Sequence, residues 1–128
     1  MIDQCERSFK VATLLLVLLA LVTTVRAADF KTGTYSVTVG DVKYSIKYYE
    51  GNKVTVSRGG DVAVEGTYKV TGDEIEVTDQ SGPIACRGEE KTGRYKWKLD
   101  DKVLTLTKVQ DGCIGRANAL TAQPWTRE

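Results

Sequence analysis

The chain has 128 residues, with 18 Lys+Arg against 17 Asp+Glu and no histidine. A net charge of +1 with no basic block leaves no electrostatic footprint for nucleic acid. The missing histidine removes the commonest general base and the usual completion of a zinc set.

Residues 1–27 read as an export signal. Arg7 and Lys10 precede an uncharged run from Val11 to Val25, and Val25-Arg26-Ala27 fits a cleavage site. The run is 15 residues long, short of the roughly 20 that a bilayer span needs, and this argues against the alternative of an uncleaved anchor. Cys5 precedes the apolar run, so it is not the lipid-bearing cysteine of a lipoprotein. The expected mature domain, residues 28–128, has balanced charge and is long enough for one modest core.

From Phe30 onward apolar and polar residues alternate with the period of half-buried strands. Tyr35, Val37 and Val39 share one face, followed by Tyr44, Ile46 and Tyr48, then Val54 and Val56. Val62, Val64, Tyr68 and Val70 form the longest run, with Gly66 on the same face. Ile75 and Val77, then Tyr95, Trp97 and Leu99, then Leu104 and Leu106 complete seven strands. Gly40-Asp41, Glu50-Gly51-Asn52, Gly59-Gly60-Asp61, Gly72-Asp73 and Asp100-Asp101 are turn formers between them. Links this short join antiparallel neighbours, because parallel crossovers need a dozen or more residues.

Two connections are longer. Residues 80–92 carry Cys86, and residues 111–121 carry Cys113 and a short helical pattern near 113–120 that puts Ile114, Ala117 and Leu120 on one face. An eighth strand near 123–126 closes the meander. The expected fold is all-β, an antiparallel up-and-down meander forming an eight-stranded barrel. Closure removes two adhesive sheet edges and buries the single apolar face. A two-layer sandwich uses the same alternation, but it needs mid-chain crossings that the short links do not allow.

Removal of the leader leaves Cys86 and Cys113 as an even pair in an oxidising compartment. Their spacing is too wide for a redox Cys-x-x-Cys pair, so a structural disulfide is expected. It would close a 28-residue loop, worth about 3.6 kcal/mol on chain entropy.

Several segments resemble bacterial lipocalin-like domains of unassigned function: Gly33-Thr-Tyr35, Glu65-Gly66-Thr-Tyr68, Ile75-Glu-Val77-Thr-Asp79, Gly93-x-Tyr95-x-Trp97, Asp111-x-Cys113-x-Gly115-Arg116 and Pro124-Trp125-Thr-Arg127. The resemblance spans the mature chain and implies a small calycin-type barrel. It also implies that Arg116 and Trp125 form the counterpart of the arginine–tryptophan packing of calycins. Tyr35 stands where lipocalins proper carry the tryptophan of their first-strand Gly-x-Trp.

The candidate ligand-binding residues are Tyr35, Tyr44, Tyr48, Tyr68, Tyr95, Trp97 and Arg116; Cys86, Cys113 and Trp125 are expected to be structural. Amphipathic rings suit a pocket, and they equally suit a filled core. Arg116 either holds an anion at the barrel mouth or stacks on Trp125 and ties down loop carbonyls. Glu74 and Glu76 face outward as solvated charges. No nucleophile–base pair is evident, so catalysis is not expected. The expected protein is an exported monomer that binds a small, partly apolar ligand, with no cofactor, metal or nucleic acid. The alternatives are an interaction or inhibitor module working through its surface, and a barrel enzyme that activates a substrate through tyrosine and Arg116.

Overall fold

The structure, a computed structural model, describes residues 29–128. The expected export signal lies outside the described residues. Eight strands run in chain order: β1 Gly33–Val39, β2 Val42–Tyr48, β3 Lys53–Arg58, β4 Asp61–Thr71, β5 Glu74–Ser81, β6 Thr92–Asp100, β7 Val103–Gln110 and β8 Trp125–Arg127. Each pairs antiparallel with its sequence neighbour, and β8 pairs with β1 to close the barrel. A 3₁₀ turn, Gly88–Glu90, lies between β5 and β6, and one helix, α1 Ile114–Thr121, lies between β7 and β8. Closure thus rests on a strand of three residues, which pairs with Tyr35 and Ser36 on one side and Val103 and Leu104 on the other.

The tight links behave as their residues dictate. Asn52 and Asp101 adopt positive φ, 67° and 53°, in two of the hairpin turns. Asn and Asp tolerate this region because their short side chains bond locally. Gly66 answers a different need. A Cβ there would collide with the backbone carbonyl of Thr78, so only glycine lets β4 and β5 approach this closely.

Alternation predicts the core with two exceptions, each with a local cause. Val56 opposes Val64 while Ser57 opposes Val62, leaving Ala63 as an extra residue in β4. This bulge reverses the pleat. Val62 is therefore turned outward, 50% exposed, and Ala63 is buried in its place. Val39, at the end of β1 beside the Gly40 turn, is also exposed. Two more bulges leave Gln80 and Val109 unpaired.

The inward set of Tyr35, Ile46, Tyr48, Val54, Tyr68, Ile75, Val77, Tyr95, Trp97, Leu104, Leu106 and Trp125 forms one buried cluster, joined by Leu120 from α1. The helix buries Ala117 and Leu120 as its spacing predicts, but Ile114 begins the first turn in solvent.

Candidate functional site

Up-and-down topology gives the barrel two unlike ends. One carries the hairpins at 50–52, 72–73 and 100–101 and is filled by aromatic rings. Phe30, just before β1, sits among Tyr48, Trp97, Tyr68 and Tyr35, with ring centroids 5.0, 5.3, 5.9 and 6.4 Å away. Edge-to-face contacts dominate, as the ring quadrupoles favour.

Backbone carbonyls satisfy the polar tips of this plug. The Tyr35 hydroxyl donates to the Lys31 carbonyl at 2.6 Å, Tyr68 to Tyr49 at 2.7 Å, and the Trp97 indole N–H to Gly72 at 3.0 Å. Arg127 closes the same end, donating from Nε and a terminal nitrogen to the Thr32 carbonyl. Burial raises the Tyr35 phenol above its ordinary value, against the opposing charge of Arg127 beside it.

The other end is open inside. A cavity of about 320 Å³ lies between the aliphatic inner faces of β2–β5 and a lid made from the β5–β6 loop and α1. Ile46, Val54, Val56, Val64 and Val77 form its walls, and Ile84, Ala119 and Leu120 come from the lid. Cys86 and Cys113 join the two halves of that lid at disulfide distance, with Cα atoms 6.2 Å apart. The sequence placed this pair across the two long connections, and the structure bears it out.

A charged latch holds the lid to the wall. The side chain of Asp111, between β7 and α1, is fully buried and receives Arg116 as a two-pronged pair: Nε to Oδ2 at 2.7 Å and a terminal nitrogen to Oδ1 at 2.7 Å. Asp111 also accepts the Cys113 backbone N–H at 2.9 Å and the Tyr95 hydroxyl. Burial alone would raise the Asp111 carboxyl, but the hydrogen bonds from Arg116, Tyr95 and Cys113 outweigh it and hold the group below its ordinary value. Tyr95 is pushed the other way, well above the ordinary tyrosine range, by burial and by donating to that carboxylate.

Arg116 also donates to the Lys91 carbonyl at 2.8 Å and the Glu90 carbonyl at 2.9 Å, and it forms an ion pair with Asp79 Oδ2 at 3.4 Å. Four of the five N–H groups of the guanidinium thus donate hydrogen bonds, and Asp79 meets the group as a longer ion-pair contact. Gly93 on β6 makes room for the latch, because a Cβ there would strike the Asp111 carboxylate and crowd Arg116.

The expected stacking of Arg116 on Trp125 is thus corrected. Carboxylates and loop carbonyls take the guanidinium, while the Trp125 indole N–H donates to the Leu120 carbonyl at 3.1 Å. Among the described residues, the arginine set beside a first-strand aromatic is Arg127, next to Tyr35. Sequence reasoning tied loop carbonyls to Arg116 correctly but missed Asp111 as its partner.

The seven candidate ligand residues divide by place. Tyr44, Tyr48 and Arg116 line the cavity. Tyr35, Tyr68 and Trp97 belong to the plug, and Tyr95 to the latch. Tyr48 spans both regions, with its ring in the plug and its side chain bordering the cavity floor. Burial pushes its phenol well above the ordinary range. Asp79 was also missed: it follows Val77 on the inward register of β5 and lines the cavity. Outside the barrel, Glu74 lies 3.5 Å from Arg94.

Among the described residues no helix is long and apolar enough to cross a membrane, and no group of three or more Cys, Asp and Glu is placed to hold a metal. No family model, curated protein or solved structure matches this chain.

Proposed function

We propose that this chain is an exported, non-catalytic barrel of lipocalin-like type that binds a small, largely apolar molecule under its lid. One observation carries the reading: a cavity of about 320 Å³ with aliphatic walls at one end of the barrel, the other end being plugged. Ligand sites are concave, mostly apolar and usually preformed, with volumes from roughly 300 Å³ upward. The disulfide-distance pair across the lid suits an oxidising compartment, which supports export. Binding is favoured over catalysis because Tyr48 and Tyr95 are pushed away from phenolate formation and Arg116 is committed to Asp111 and the loop carbonyls.

The test is titration of the purified domain with N-phenyl-1-naphthylamine, a neutral dye that brightens in apolar surroundings. Saturable brightening at one dye per chain is expected. Val56→Trp, which places an indole in the cavity, should abolish it while the protein stays folded by circular dichroism. Equal dye binding by wild type and Val56→Trp would overturn the proposal.

A further inference from the structure

Resting on that binding reading, we infer that the cavity selects an apolar amine, held as its ammonium by Asp79, and discriminates against apolar carboxylates. The argument starts from charge. Two carboxylates and one guanidinium meet at the lid: Asp111 and Asp79 around Arg116. Their sum is one negative charge in a site where the Asp79 and Arg116 side chains are each only 9% exposed.

The sharing is unequal. Asp111 takes Arg116 on both oxygens at 2.7 Å, whereas Asp79 has a single, longer contact of 3.4 Å. The uncompensated charge therefore falls on Asp79, the member of the trio at the end of β5 and on the cavity wall.

The oxygens of Asp79 are also unequally used. Oδ2 accepts the Cys86 backbone N–H at 2.8 Å and faces Arg116. Oδ1 accepts no hydrogen bond among the described residues, yet no buried side-chain oxygen there is both sealed and unpartnered. Oδ1 is therefore not sealed off, and Asp79 is one of the residues lining the cavity. A carboxylate oxygen with free lone pairs at an apolar wall calls for a donor from the occupant, and an ammonium is the donor that also cancels the charge.

An anion finds no equivalent. Arg116 commits four of its five N–H groups to Asp111 and the loop carbonyls, and a carboxylate approaching the rest of the group would meet Asp79 beside it. Arg58 is the other cation lining the cavity, but it stands exposed at the rim, 5.9 Å from the Tyr44 ring centre, where water screens it.

The test uses three eight-carbon probes that differ only in headgroup: octylammonium, octan-1-ol and octanoate. Each is titrated by calorimetry against the disulfide-intact domain at neutral pH. Octylammonium is expected to bind at least tenfold more tightly than octan-1-ol, with octanoate weakest. Asp79→Asn should erase the lead of octylammonium over octan-1-ol. Arg58→Gln, at the solvent rim, should leave the order unchanged. Octanoate binding as tightly as octylammonium, or an unchanged lead in folded Asp79→Asn, overturns the amine assignment while the cavity reading stands. If Asp79→Asn does not fold, the wild-type order alone decides. Failure of all three probes to bind overturns both.

Discussion

Asp111→Asn isolates the latch. The change is nearly isosteric, so it creates no cavity. It removes the negative charge paired with Arg116 and converts one acceptor oxygen into a donor. That new amide must face either Tyr95 and Arg116 Nε, or Cys113 N–H and a terminal nitrogen of Arg116. Both positions are occupied by donors, so at least one buried hydrogen bond is lost whichever way the amide turns. Leaving a buried charge unpaired costs about 3–5 kcal/mol. Asp79, 3.4 Å from Arg116, softens the loss and sets the expectation near the lower bound, about 3 kcal/mol. With a net stability of about 5–15 kcal/mol for a small domain, this is a large fraction. In urea, with a slope of about 1–2 kcal/mol per molar, the midpoint should fall by roughly 1.5–3 M. Asp111→Asn combined with Arg116→Met removes both charges and should recover much of the loss, a coupling that a double-mutant cycle measures. A loss below about 1 kcal/mol in the single variant would refute the claim that this pair secures the lid.

Two further outcomes follow from the lid. Reducing the Cys86–Cys113 pair, or Cys113→Ser, should lower stability by about 3.6 kcal/mol, read as the difference between urea curves with and without reductant. For acid, Asp111 has a folded pKa below its ordinary value of 3.8. Its contribution is therefore complete above the unfolded value and is lost as pH falls through the folded one. Unfolding midpoints between about pH 5 and pH 2 should decline more steeply in wild type than in Asp111→Asn, and parallel declines would contradict the assignment.

The strands were legible because each carries its own evidence. Tyr44-x-Ile46-x-Tyr48 and Tyr95-x-Trp97-x-Leu99 alternate over their full length, and turn residues bound them at hairpin spacing. The cysteine pairing was legible by elimination. Val62 was misplaced because a bulge is a relation between two strands: its own sequence, Val62-Ala63-Val64, gives no sign of which residue β3 will leave unpaired. Asp79 had a readable signal, since it extends the Ile75, Val77 register inward as an acid where the pattern calls for an apolar residue. The Asp111–Arg116 pairing was also written in one short segment, but Trp125, further along the chain, offered a rival partner.

Local periodicity and turn chemistry determined the strands and their hairpin order by themselves, because alternation and tight turns act on residues close together in the chain. Tertiary structure alone decided how β8 closes the barrel on β1, which tyrosines plug the lumen, which border the cavity, and which loop carbonyls take the arginine. Those outcomes depend on distances between residues far apart in sequence. Tyr95 and Asp111 are 16 positions apart, and Arg116 and the Glu90 carbonyl are 26. Closure of the barrel brings them within hydrogen-bond reach.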